Sequence, residues 1–252
     1  MRRREFLAST SGALALAPFT PRSLPVHRAP IRAVLFDAFP IFDPRPIDAL
    51  AQSLFPEQGA ALLGAWRSRQ FEYTWLRASG RHYRDFWGVT DDALTSAARA
   101  LRLDLTTAQR TALTTAFLKL QAWPDVPDAL ARLRAAGVRV GLLSNFTLTM
   151  LEANLASADL RGAFQYLLST DQARTYKPAP EAYQLGLNAT GFRREEIAFA
   201  AFAGWDANGA EWFGYPTVWV NRAGSAIEEL GGAPDAIGIG LDAVVDFVLA
   251  QR

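Results

Sequence analysis

Three short runs that are apolar at nearly every position most constrain what this chain can fold into: residues 31–36 (IRAVLF), 138–143 (VRVGLL) and 197–203 (IAFAAFA). A strand with one wet face alternates apolar and polar side chains. A run without that alternation suits a strand covered on both faces, as in a parallel sheet packed between helices. Two shorter runs, 166–168 and 217–220, have the same character, and the second closes the series. Helical periodicity fills the gaps at 126–136, 148–156, 180–190 and 206–213, with Gly137 placed to end the first of these. Strands alternating with helices predict an α/β fold with a doubly wound parallel sheet.

The alternation is interrupted once. Between residues 47 and 121 strand-like runs vanish and apolar residues recur at helical spacing. The sets are Leu62, Leu63 and Trp66; Phe71, Trp75 and Leu76; Leu94, Ala98 and Leu101; and Ala112, Leu113, Ala116, Phe117 and Leu120. This pattern predicts an all-helical insert of about four helices. Residues 31–46 and 122–252 then form the sheet-bearing core, and 47–121 a helical cap.

Composition removes several kinds of chemistry. The 252 residues include no cysteine, which excludes disulfides, thiolate metal sites and a cysteine nucleophile. The histidines are His27 and His82, so few that a His-rich metal site or a Ser-His-Asp triad is almost excluded. The formal charge is +1, but residues 1–29 hold five arginines against one glutamate, so the remainder is mildly acidic and nucleic acid is not an expected partner. The start itself, Arg3-Arg4-Glu5-Phe6-Leu7 followed by an apolar run to about Phe19, has the form of a twin-arginine leader. Residues 1–30 are therefore expected to be a signal peptide and linker, with the twin-arginine export machinery as a partner. The expected location is periplasmic or secreted, or cytoplasmic if the leader does not function. That apolar run is too short to span a bilayer comfortably, and no later segment is apolar for long enough.

Ligands of open parallel sheets bind beyond the carboxyl ends of the strands. Asp37 follows the first run, Ser144-Asn145 the second, and Asp206 comes shortly after the third, while Lys177 sits in a loop, Tyr176-Lys177-Pro178. Any one of these could simply cap a helix. Taken together and in this order they resemble the haloacid dehalogenase superfamily, in which a nucleophilic Asp ends the first strand. There a further strand ends in Ser or Thr, a loop Lys comes next, and an acidic group follows the fourth strand. The resemblance covers nearly the whole chain after residue 30 and implies a Rossmann-like core with an inserted helical cap.

Phosphatases of that superfamily carry a second Asp two residues after the nucleophile, to protonate the leaving alkoxide. Phe39 stands there and cannot donate a proton. A halide leaves without one. Further segments are similar to the L-2-haloacid dehalogenases: Trp66-Arg67 with Gln70 and residues 72–77, Tyr183 after the lysine loop, and Trp205-Asp206-Ala207 onward. The resemblance implies that Asp37 attacks C2 of a small 2-haloacid and that Arg67 cradles the halide, with Asn145 nearby. It implies that Ser144 binds the substrate carboxylate and that Lys177 offsets the charge of Asp37. Asp206 would hold Lys177 or orient water, and Tyr183, Phe39 and Trp205 would shape the pocket. No metal and no cofactor are implied, and a homodimer is an open expectation.

The chain departs from the pattern at Ile41, Ala201 and Ala203, where the family has polar residues that support the nucleophile and the hydrolytic water. Two alternatives follow. One is a phosphatase using magnesium between Asp37 and Asp206. The other is an exported binding protein of the same fold that has lost turnover.

Overall fold

The computed structural model describes residues 29–251. The twin-arginine segment lies outside the described residues. Strand β1 (Ala33–Phe36) ends at Asp37, whose carboxylate caps a single helical turn, α1 (Ala38–Ile41). A two-residue strand, β2 (Phe42–Asp43), leads into four helices: α2 (Arg45–Leu54), α3 (Gly59–Ser79), α4 (Phe86–Ala100) and α5 (Thr107–Ala116). The chain returns through β3 (Gln121–Ala122), paired antiparallel with β2, so the helical insert leaves and re-enters the core at one narrow neck. Then follow α6 (Val126–Ala135), β4 (Arg139–Ser144), α7 (Leu148–Ser157), β5 (Tyr166–Ser169), α8 (Pro180–Thr190) and β6 (Ile197–Ala201). The chain ends with α9 (Gly204–Phe213), β7 (Thr217–Val220), β8 (Ala236–Gly238) and α10 (Asp242–Leu249).

The six core strands form one parallel sheet in the order β5-β4-β1-β6-β7-β8. Every residue of β1 is fully buried, which accounts for its unbroken apolar run. Alternate residues serve opposite faces, as strand geometry requires. Val34 and Phe36 join Val140, Leu142, Ala198 and Ala200 in a core that continues up into the cap. Ala33 and Leu35 join Leu143, Phe199, Tyr183 and Tyr215 under α8 and α9. In the insert, Trp66 is buried and its indole N–H donates to the carbonyl of Thr90 at 2.8 Å, locking α3 to α4. Among the described residues no helix is long and apolar enough to cross a membrane.

The structure adds to the sequence reading in two places. The series does not close at residue 220: β8 extends the sheet and α10 packs on it. β8 is only three residues long and partly exposed at the edge, so it leaves no apolar run. Leu62 to Leu76 also lie on one 21-residue helix, so the two periodic sets there mark a single element and α2 precedes it.

Candidate active site

The strand order reverses at β1, with β4 on one side and β6 on the other, and this is where an open parallel sheet leaves a crevice at its carboxyl edge. Register puts Phe36 level with Leu142 and Ala200, so Asp37 and Ser144 emerge from neighbouring strands at that edge. The backbone N–H of Asp37 donates to the carbonyl of Ala200 at 3.0 Å. Its side chain is fixed from three directions. Oδ2 accepts from the N–H of Phe39 at 3.3 Å, and Oδ1 accepts from the Ser144 hydroxyl at 3.2 Å and from Lys177 Nζ at 2.8 Å.

Lys177 reaches Asp37 from the loop before α8 and also donates to Asp206 Oδ2 at 2.5 Å. Its side chain is 1 % exposed and that of Asp206 is 2 %, against 13 % for Asp37. Burial works against the lysine's charge, but the carboxylates of Asp206 and Asp37 outweigh it and raise its pKa, so the ammonium is firmly protonated. For Asp206 burial wins over the pull of Lys177, and the charge of Asp37 adds to it, lifting the pKa to about 6. Tyr183 donates its hydroxyl to Asp206 Oδ1 at 2.7 Å, and burial and that carboxylate together push its own pKa well up, so it remains a neutral donor.

A cavity of about 740 Å³ opens between this edge and the cap. Asp37, Phe39, Ser144, Asn145, Lys177, Trp205 and Asp206 line it from the core, and Trp66, Arg67, Gln70 and Phe71 line it from α3. Aromatic rings supply much of the wall. Phe39 lies 5.5 Å from Phe202, and Trp205 meets Phe71 across the cap–core seam at 4.7 Å between centroids. Asn145 is held by its oxygen, which accepts from the N–H of Lys177 at 3.0 Å and from the Thr170 hydroxyl at 3.2 Å. With that oxygen engaged, the amide nitrogen is the end left to meet an anion.

Eight of the nine residues read from the sequence thus line one cavity. The exception is Tyr183, expected on the pocket wall. It is fully buried behind the site, because α8 packs against the face formed by Phe199 and Tyr215, and it acts there as a brace for Asp206. Arg67 lines the cavity, but its guanidinium is already paired with Asp48 of α2. Other polar residues at the site were not singled out in the sequence: Ser68 of α3 and Ser225 and Glu228 of the loop after β7 line the cavity, and Asp48 of α2 holds Arg67. No motif marks them, since each depends on how a loop or a neighbouring helix folds back. Ile41 and Ala201 are fully buried, and Ala203 lines the cavity and starts α9 without a side-chain cap.

The site suits attack on an electrophilic carbon. A carboxylate is held at one oxygen by a cation and a hydroxyl in a largely apolar chamber, with no acid at position 39 to protonate a leaving group. A magnesium ion between Asp37 and Asp206 fits poorly, because the ammonium of Lys177 already spans the two carboxylates.

Comparison with known proteins agrees with this chemistry. The chain belongs to the haloacid dehalogenase-like hydrolases, whose family model matches residues 31–214. More narrowly, it is 38 % identical over 218 residues to an (S)-2-haloacid dehalogenase of Pseudomonas sp. (strain YL), covering 86 % of this chain and 94 % of the relative. Among solved structures it is similar to the L-2-haloacid dehalogenase RSc1362, with a TM-score of 0.85, 42 % identity, and 88 % and 100 % of the two chains covered. It also superposes on the L-2-haloacid dehalogenase of Xanthobacter autotrophicus with chloropropionic acid covalently bound, at a TM-score of 0.79 and 29 % identity, over 88 % of this chain and all of that one.

Proposed function

We propose that this protein hydrolyses small (S)-2-haloacids to (R)-2-hydroxyacids through an ester on Asp37. The observation that carries the reading is a buried ammonium on Asp37 Oδ1, in a site where Phe39 takes the place of an acid. In the first step an oxygen of Asp37 attacks C2 from the side opposite the halogen. The carbon–oxygen bond forms as the carbon–halogen bond breaks, and the halide leaves with the bonding pair, so C2 inverts. Arg67 and the Asn145 amide receive the halide, and Ser144 orients the substrate carboxylate. In the second step water attacks the ester carbonyl of Asp37. Lys177 stabilises the oxyanion, Asp206 holds Lys177, the hydroxyacid departs and one proton passes to solvent.

The test is halide release over a panel of 2-haloacids, with and without chelator. Release from the (S) enantiomers, unaffected by chelation and abolished in Asp37→Asn, supports the reading. Chelator-sensitive phosphate release from an aryl phosphate would support the phosphatase instead. Binding of 2-haloacids without any release would indicate a binding protein. The leader form of residues 1–30 further supports export by the twin-arginine route and action in the periplasm or outside the cell.

A further inference from the structure

Among the described residues lining the cavity, Arg67 is the one arginine, and a carboxylate already holds it. Asp48 lies in the first turn of α2 beside Ile47, itself part of the cavity wall, and pairs with the Arg67 guanidinium across the turn between α2 and α3. The two side chains are 56 % and 29 % exposed, so the pair stands at the wet margin of the cavity, where partners can exchange.

We propose that Asp48 is a positioning residue that sets how tightly Arg67 holds the released halide. This rests on the halide-receiving role given to Arg67 above. A carboxylate and a halide are monoanions competing for one guanidinium. With Asp48 in place, Arg67 is oriented and largely neutralised before the substrate arrives. In the transition state the departing halogen carries a partial negative charge, whereas the free ion carries a full one. A neighbouring carboxylate therefore penalises the bound product ion more than the transition state. The consequence is loose halide binding and fast release, at little cost to the displacement.

The size of the effect follows from the exposure of the pair. Ion pairs at the protein surface are weak, so removing Asp48 should tighten halide binding by roughly two- to fivefold. The experiment compares the full-length protein with Asp48→Asn, Asp48→Glu and Arg67→Gln in chloride-free buffer of low ionic strength. Bromide binding is read by 81Br line broadening, and the inhibition constant of bromide against turnover is measured beside it. Asp48→Asn should lower both bromide constants by that factor, Asp48→Glu should restore them, and Arg67→Gln should abolish the broadening. A purely structural tether between α2 and α3 would change thermal stability without moving the bromide constants. Equal or weaker bromide binding in a folded Asp48→Asn, while Arg67→Gln still abolishes it, overturns the proposal alone. Unchanged bromide binding in Arg67→Gln overturns the assignment of Arg67, and the proposal with it.

Discussion

Lys177 is one cation buried against two anions, so one negative charge is left over. Asp37 is the more exposed of the two carboxylates, and the excess charge therefore faces the cavity on the nucleophile. Lys177→Met should lower turnover on the order of a hundredfold or more, because a positioned donor to the developing oxyanion is lost. It should also destabilise the fold, since Asp206 is left buried without a counter-charge. Asp206 gives the site a pH limit. Its folded pKa of about 6 lies above the ordinary 3.8, so it is ionised above about 6 and protonated below. Turnover should fall as pH drops through 6, because a neutral Asp206 no longer anchors the ammonium; a rate profile flat from pH 7 to 5 would contradict this. The sign for stability is opposite. The fold binds a proton that the unfolded chain has released between 3.8 and 6, so this group's contribution declines as pH rises through that window. Apolar side chains at 41, 201 and 203 bear on the second step, since they supply no groups to orient water. Rapid mixing should show a burst of halide near one equivalent per enzyme before a slower steady rate; a linear trace would place the slow step elsewhere.

Helix α9 carries Asp206 into the site, and its glycine at 209 lets it approach the lysine loop. A Cβ built on Gly209 would lie 2.5 Å from both Pro178 Cβ and the Tyr183 hydroxyl oxygen, contacts that real side chains do not make. Gly209→Ala should therefore push α9 away from the residue after Lys177 and from the brace on Asp206. The expected cost is about 1–3 kcal/mol of stability, measured by denaturant unfolding, together with lost activity. Full activity at wild-type stability would show that the close approach is not needed. At this scale the sequence was most legible where a strand is fully buried. The unbroken run into Asp37, and those before Ser144 and Asp206, mark strands whose carboxyl ends bring these residues to one cavity, because burial on both faces selects an apolar side chain at nearly every position. β8 left none, being short and half-exposed. Tyr183, expected on the pocket wall, is buried behind Asp206. Whether it faces the cavity or the back of Asp206 is decided by how α8 lies on the sheet, which no local pattern records. Asp48 and Glu228 were invisible for the same reason, as surface carboxylates whose meaning comes only from what folds beside them.

Across the whole molecule, the cap rests on the core around the cavity mouth. Tyr83 of the cap donates to Asp171 at 2.7 Å, the Tyr176 hydroxyl donates to the carbonyl of Arg84, and Phe71 meets Trp205. These contacts bring α3, with Arg67, over a nucleophile fixed on β1, so the two halves of the proposed displacement come from different parts of the chain. The proposed export by the twin-arginine route carries a separate prediction: replacing Arg3 and Arg4 by Lys should strand the protein in the cytoplasm, and unchanged fractionation would refute that route. By the proposed ester route, the hydroxyl oxygen of the product comes from Asp37 and not directly from water. This is tested by a single turnover with excess enzyme in heavy-oxygen water, followed by mass spectrometry of the hydroxyacid and of the peptide containing Asp37. Label is expected in Asp37 and none in the first product, because water attacks the carbonyl of the ester. Label in the hydroxyacid on the first turnover, with Asp37 unchanged, would mean that water attacks C2 itself and would rule out the ester.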